Sequence, residues 1–569
     1  MKRIRQKLRG WKLFTLIGVL AALAIAVAQP MVRQAQSGSA GAESLAPGAE
    51  SLAPGTIILP STRITVDKAT VVTPQEIAQA DAAIAAAPSL TREKPFMPTN
   101  PIAYAAAKNQ ANAAAAPAMG KPGTAPTSSP EALVPPTLRG VSYDGLNQSL
   151  SGGSYPPDTH GAVGPSHYVQ VVNTRMSAFN KAQPGAQLCT FTLAALHGAA
   201  EFIFDPRVVY DQTWNRWVFV ASRASSSTTD TIRRFYLAVS TSGNPCGSYF
   251  RYTVNFGGGS FNAGDWWDYP GLGMNQDAVL ITGNIFDTPA GGFRFPAMMP
   301  IAKARIYNGL GFSVPVFTTG LAPTLQPPIV LDQNKDAYFV AANNGIYLHL
   351  YRGEKLSNAY EATMTFQGFV NVVDYAVPPD ARQVGTAIRL DSLDRRFVNA
   401  STQTGDSLFN VHTIALGSFP APRWYEIDTE GAGANTVKQQ GFFFESPTSD
   451  DWNASIAANA SREVFVTWNS TDVLHATTSV RHQARVRISG RLAADPLNVI
   501  GAGYPIFTSA VALTGNGGSV QRWGDYSAVS LDPSTAAGCS SNRRAWLSNE
   551  KIQSASVWGS RIARFGFCG

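Results

Sequence analysis

Two carboxylates flank two indoles and a phenol in Gly264-Asp-Trp-Trp-Asp-Tyr269. Indole faces stack on the C–H surfaces of sugars, and carboxylates accept sugar hydroxyls. A pair of carboxyls at roughly 5–9 Å can also divide acid and base or nucleophile roles in glycoside hydrolysis. The pattern of acid beside aromatic recurs at Asp451-Trp452 and Trp523-Gly-Asp525. Asp158 with His160 and Asp205 with Arg207 add further charged groups. The candidate ligand-binding set is therefore Asp158, His160, Asp205, Arg207, Asp265, Trp266, Asp268, Tyr269, Asp451, Trp452, Trp523 and Asp525. Against this stands a purely structural role, in which the indoles fill a core and the aspartates cap turns. Asp158, Asp205, Asp268 and Asp525 could together hold Ca²⁺, which takes hard oxygen ligands, although no contiguous D-x-D-x-D-G loop exists. No G-x-S-x-G elbow, clustered Cys/His set or phosphate-cradling glycine loop is present.

The elements that must position these groups are short. Runs such as His167–Asn173, Trp217–Ala221, Ala278–Ile285 and Glu463–Trp468 are rich in β-branched and aromatic residues. Gly, Pro, Asn and Asp punctuate them, and no long amphipathic helical pattern intervenes. An acid or turn cluster precedes an apolar run at Asp158, Asp205, Asp268, Asp332, Asp391, Asp450 and Asp525, at intervals of roughly 45 to 75 residues, the length of a four-stranded blade with its loops. The expectation is an all-β domain over residues 136–569, a β-propeller of seven blades, with six or eight as alternatives and a pair of β-sandwiches as the competing architecture. Ring closure would bring Arg561–Phe567 beside the start near residue 160.

The first 28 residues read as a signal peptide. A basic stretch precedes an apolar run from Phe14, and Ala26-Val27-Ala28 is a small-residue cleavage site; an uncleaved anchor is the alternative. The net charge of +7 resides almost wholly in that segment, so the rest is close to neutral and carries no nucleic-acid signature. No later run is long enough to span a membrane. Four cysteines in an exported chain favour disulfides, most simply Cys189 with Cys246 and Cys539 with Cys568; buried thiols are the alternative. Residues 29–135 are Ala/Pro-rich and include a tandem Gly-Ala-Glu-Ser-Leu-Ala-Pro. They read as a disordered linker with one or two short helices, the first capped by Thr73, Pro74 and Glu76.

Several longer strings carry a resemblance. Pro156-Pro-Asp-Thr-His-Gly-Ala-Val-Gly-Pro-Ser-His167, Asp205-Pro-Arg-Val-Val-Tyr-Asp-Gln-Thr-Trp214, Asp268-Tyr-Pro-Gly-Leu-Gly273, Arg423-Trp-Tyr-Glu426 and Arg522-Trp-Gly-Asp-Tyr-Ser527 resemble a largely uncharacterised family of secreted bacterial β-propeller proteins. The resemblance implies export and a propeller fold from about residue 140 to 568, and no reaction. Asp211-Gln-Thr-Trp214 is loosely similar to the Asp-box turns of sialidase-like propellers, but their S-x-D-x-G-x-x-W box and Arg-Ile-Pro signature are missing. The leading expectation is a secreted or surface-displayed, monomeric binding module for carbohydrate or another envelope or extracellular ligand at the channel face. A glycoside hydrolase or lyase using Asp265 or Asp268 with Asp451 or Asp525 is the runner-up. A structural surface protein without a small ligand is the third reading.

Overall fold

In the computed structural model the described residues are 57–86, 97–115, 120–122, 133 and 135–568, apart from loops at 225–228, 288–291, 343–344, 432–433 and 516. The signal-peptide expectation and the tandem repeat lie outside them. The fold is all-β, with antiparallel meanders following one another along the chain. One runs from His160 to Thr192, the next from Ile203 to Asn255 and the third from Trp266 to Thr318. Several innermost strands are buried on both faces, charged positions such as Asp205, Arg207 and Asp451 included. Ile203–Asp211, Trp266–Met274 and Asp450–Ala458 are buried at every position. A run with no exposed face must be covered on both sides, and here the neighbouring sheets supply that cover.

The innermost strands touch in a closed cycle. His160–Val163 lies beside Ile203–Asp211, then come Trp266–Met274, Pro328–Val330, Ser401–Thr404, Asp450–Ala458 and Ala528–Leu531, which returns to His160–Val163. The chain's end meets its beginning, but at Thr137–Asp144 and not near residue 160 as the sequence leads one to expect; the strand at residue 160 meets Ala528–Leu531 instead. Val557–Gly566 pairs antiparallel with β4 (Thr137–Asp144), from Arg561 opposite Asp144 to Gly566 opposite Thr137. The disulfides join Cys189 to Cys246 and Cys539 to Cys568, closing loops of 57 and 29 residues. No helix among the described residues is long and apolar enough to cross a membrane.

The segment read as a linker is built into the fold wherever it is described. β1 (Ile57–Ile58), β2 (Ser61–Val66) and β3 (Thr70–Val72) pair in turn with the outer strands Thr363–Asn371, Phe312–Thr318 and Tyr249–Asn255. An uncovered sheet edge leaves a row of unpaired N–H and C=O groups, and these strands satisfy three such edges. Alternation fixes their register: Ile64 and Val66 face inward while Thr65 faces out. Two or three apolar residues per strand were too few to stand out from the Ala/Pro-rich background. The helix α1 (Pro74–Ala86) starts as its sequence dictates. Thr73 N–H donates to Glu76 Oε2 at 2.7 Å, and Glu76 N–H donates to Thr73 Oγ1 at 3.3 Å. A second helix, α2, spans Pro101–Ala115.

Candidate functional site

The recurring acids have a local cause. Asp158, Asp205, Tyr269 and Asn453 all adopt left-handed φ, between 48° and 52°, at or near the start of an innermost strand. Pairing shifts register beside three of them, between Asp268 and Gly271, between Trp452 and Ser455, and opposite Phe204–Arg207 at Val220/Ser222. A bulge of this kind re-aims a side chain out of the ladder. For a non-glycine residue this conformation costs on the order of 1–3 kcal/mol, so the surrounding contacts must hold it.

Those contacts form a buried acid–arginine network on the axis of the strand cycle. Carboxylate oxygens of Asp158, Asp205 and Asp525 lie within 4.8 Å of one another, and all three residues are fully buried. Asp158 accepts from the Asp525 N–H at 2.7 Å and from Asn173 Nδ2 at 2.6 Å. Asp205 accepts from the Tyr526 hydroxyl at 2.6 Å. Arg207 lies over the Tyr526 ring at 3.3 Å and donates to the carbonyls of Pro270 and Val398 and to Asn399 Oδ1. Arg522 approaches Asp525 at 3.6 Å and Asp391 at 3.9 Å. Burial, reinforced by the charges of Asp158 and Asp525, pushes the Glu550 carboxyl well above its usual range. His160 is held neutral, first by burial and then by Arg207.

Three of the four acids expected for Ca²⁺ thus converge, while Asp268 stands outside the set. The donors do not suit the ion. Both Asp158 oxygens are taken by N–H groups, and the charges of Arg207 and Arg522 already face the three carboxylates.

The remaining candidates are structural in their surroundings. Trp266 packs against Phe204 and Phe286, and Trp267 donates to the Thr282 carbonyl at 3.0 Å among Phe235 and Phe256. Trp452 and Trp523 meet edge to face at 5.5 Å. All four indoles are at most 1% exposed, so none presents a face to a sugar. Tyr269 lies under the Arg396 guanidinium. Asp265 accepts from the Asn262 N–H and pairs with Arg294. Asp451 accepts from Lys121, Ser449, Trp468 and the Glu445 N–H. The cavity beside them, between Asp391, Arg396, Asn453 and Asp525, holds about 20 Å³, room for roughly one water.

An open polar groove of about 320 Å³ lies instead at the outer rim. It forms where the chain leaves β2, on the edge of one sheet, crosses Asp67-Lys68-Ala69 and enters β3 on the edge of another. Strand alternation turns Thr65, Thr253 and Asn255 outward here while Val66, Tyr252 and Val254 face the core. A short helix, α3 (Leu193–His197), closes the inner end. Its last residue, His197, is 4% exposed, and neither ring nitrogen has a hydrogen-bond partner. Burial, and then the charge of Arg251, push its pKa down to about 3. Gly198 ends α3 with φ 66°, and a Cβ there would stand 2.7 Å from Arg251 Nη1. The groove thus requires a glycine for both backbone and space. Neither Arg251 nor Lys68 makes a side-chain hydrogen bond or ion pair among the described residues. Sequence reading missed Lys68, His197, Gly198 and Arg251, because they come from three separate segments.

No protein-family model and no curated protein matches the chain. Among solved structures, an exo-β-1,3-galactanase from Phanerochaete chrysosporium with galactose is 10% identical, covers 76% of this chain and 99% of its own, and has a TM-score of 0.30. A protein of unknown function from Dyadobacter fermentans is 14% identical, covers 63% and 93%, and has a TM-score of 0.31. BamB from Moraxella catarrhalis is 12% identical, covers 77% and 92%, and has a TM-score of 0.28. At these scores the class of the fold rests on the chain's own strand pairing, and the class that pairing defines is all-β.

Proposed function

We propose that the chain is an exported seven-bladed β-propeller that binds an acidic extracellular ligand of carbohydrate type in the rim groove. The cycle of seven innermost strands supports the propeller and its blade count; six of them are paired antiparallel to the next strand in sequence, while Pro328–Val330 pairs only in parallel with Trp266–Met274 and Ser401–Thr404. The leader-like first 28 residues and two disulfides support export. The observation that carries the ligand class is the juxtaposition of Arg251 and Lys68 in a groove where neither makes an ion pair among the described residues, although Asp67 also lines it and the charge of Glu76 reaches Arg251. A carboxylate or sulfate on a saccharide would supply that charge, with Arg251 offering two parallel donors. Thr65, Thr70, Thr253 and Asn255 offer hydroxyl and amide partners for sugar hydroxyls. Binding is favoured over hydrolysis because Asp265, Asp451 and Asp525 are buried against donors and each other.

The test is a glycan array probed with the full chain and with Arg251→Ala. Retention on carboxylated or sulfated glycans, weakened by salt and by the substitution, is expected. Equal retention of neutral glycans, or indifference to Arg251→Ala, overturns the reading.

A further inference from the structure

A helix in a folded protein is ordinarily held by an apolar stripe. α2 has none. Its sequence, PIAYAAAKNQANAAA, buries only Lys108 and Ala115, and Ile102 is 85% exposed. Upstream, Met97 is buried with Phe204, Trp266 and Tyr526. The helix itself is fastened by polar groups.

The fastening is an ammonium cage. Lys108 Nζ donates to Asp380 Oδ1 at 2.7 Å, to Ser392 Oγ at 2.8 Å and to the Pro378 carbonyl at 3.1 Å, so all three N–H groups are used. Asp391 Oδ1 lies 3.9 Å away. Asn112 reinforces the contact, donating to Asp380 Oδ2 and accepting from the Asp380 N–H, both at 2.8 Å. The acceptors of the cage all come from residues 378–392, with Asn112 of α2 bracing Asp380, and its floor continues into the axial network through Arg522, which approaches Asp391. Burial raises the Asp391 carboxyl to about 6 even with Lys108 present. A buried acid pair of this kind needs a cation to remain charged.

We propose that the axial face carries a binding site for a primary ammonium group, formed by Asp380, Asp391, Ser392 Oγ and the Pro378 carbonyl, and that Lys108 on α2 is its built-in, displaceable occupant. The ligand class is an alkylammonium, such as a lysine side chain or an amine. The fit comes from three acceptors converging on one nitrogen beside a second carboxylate. Displaceability follows from the helix having so little apolar surface to lose. This site is distinct from the rim groove, and neither proposal depends on the other.

The experiment uses the full chain and n-propylammonium chloride, with tetramethylammonium chloride at equal ionic strength as the control that lacks N–H donors. Lys108→Ala is expected to melt below the parent, and propylammonium is expected to restore several degrees of Tm while tetramethylammonium restores none. Equal effects of the two salts overturn the proposal. Should Lys108→Ala not fold, the parent protein gives a second readout. Propylammonium should speed amide hydrogen exchange across residues 101–115, at least threefold over tetramethylammonium. Exchange there that ignores the amine also overturns it.

Discussion

The axial network and the rim groove each gather charged side chains from several strands, yet they are opposites in how those charges are satisfied. On the axis, Asp158, Asp205, Asp525 and Arg207 are buried, Arg522 is partly so, and they answer one another. At the rim, Arg251 and Lys68 face a groove of about 320 Å³ with no hydrogen bond to a neighbour among the described residues. A buried charge without a partner is costly, so the axis is a place where sequence serves folding. A half-exposed cation costs little to leave unpaired and remains available to a ligand. The same residue types thus mark structure in one place and recognition in the other, and burial separates the two.

That contrast breaks first at Arg207. Its guanidinium makes three hydrogen bonds and stands against Tyr526. Arg207→Ala should cost about 3–5 kcal/mol in urea denaturation, because it strands buried carboxylates. Glycan retention by the folded fraction should be unchanged. A loss under 1 kcal/mol would mean that the axis is not the structural centre. Gly198→Ala should come next, at about 1–2 kcal/mol, since φ 66° and the approach of Arg251 both exclude a Cβ. It should also weaken binding by shifting Arg251. Arg251→Ala should change stability by less than about 0.5 kcal/mol, as expected of a residue outside any network. It should nevertheless reduce retention of acidic glycans at least tenfold.

Much of the architecture was legible before any coordinates. The period of acids and β runs marked the innermost strands, the capping pair Thr73/Glu76 marked α1, and the cysteine pairing and terminal closure followed from order along the chain. The candidate site was legible only as a list of recurring residues. A residue that recurs at one topological position solves one recurring problem, here the bulge that opens each innermost strand, and so repetition selected structural groups. The groove has no such signal. Lys68, His197 and Arg251 come from three segments, and only the pairing of β2 and β3 to different sheet edges brings them together. Sequence texture hid those strands, because an outer strand that covers an edge needs only two inward apolar residues.

A further expected effect is one of pH, and it has opposite signs in the two regions. Glu550 on the axis holds its proton more tightly folded than unfolded. Between the ordinary Glu value of about 4.3 and its raised folded value, the native state carries a proton that the unfolded chain has lost, so its contribution falls as pH rises. Glu550→Gln keeps an acceptor for the Gly524 N–H and removes that decline. The variant should match the parent near pH 4 and exceed it near pH 8. His197 at the rim has its folded pKa lowered to about 3. Its contribution is present above the unfolded value of about 6.5 and is lost as pH falls through the window down to about 3. His197→Gln should flatten the acid side of the stability profile by up to about 1.4 kcal/mol per pH unit and leave the alkaline side alone. Urea midpoints from pH 3 to 9 read both. If Glu550→Gln alters only the acid limb, or His197→Gln only the alkaline limb, the division between a satisfied axis and an open rim is drawn in the wrong place.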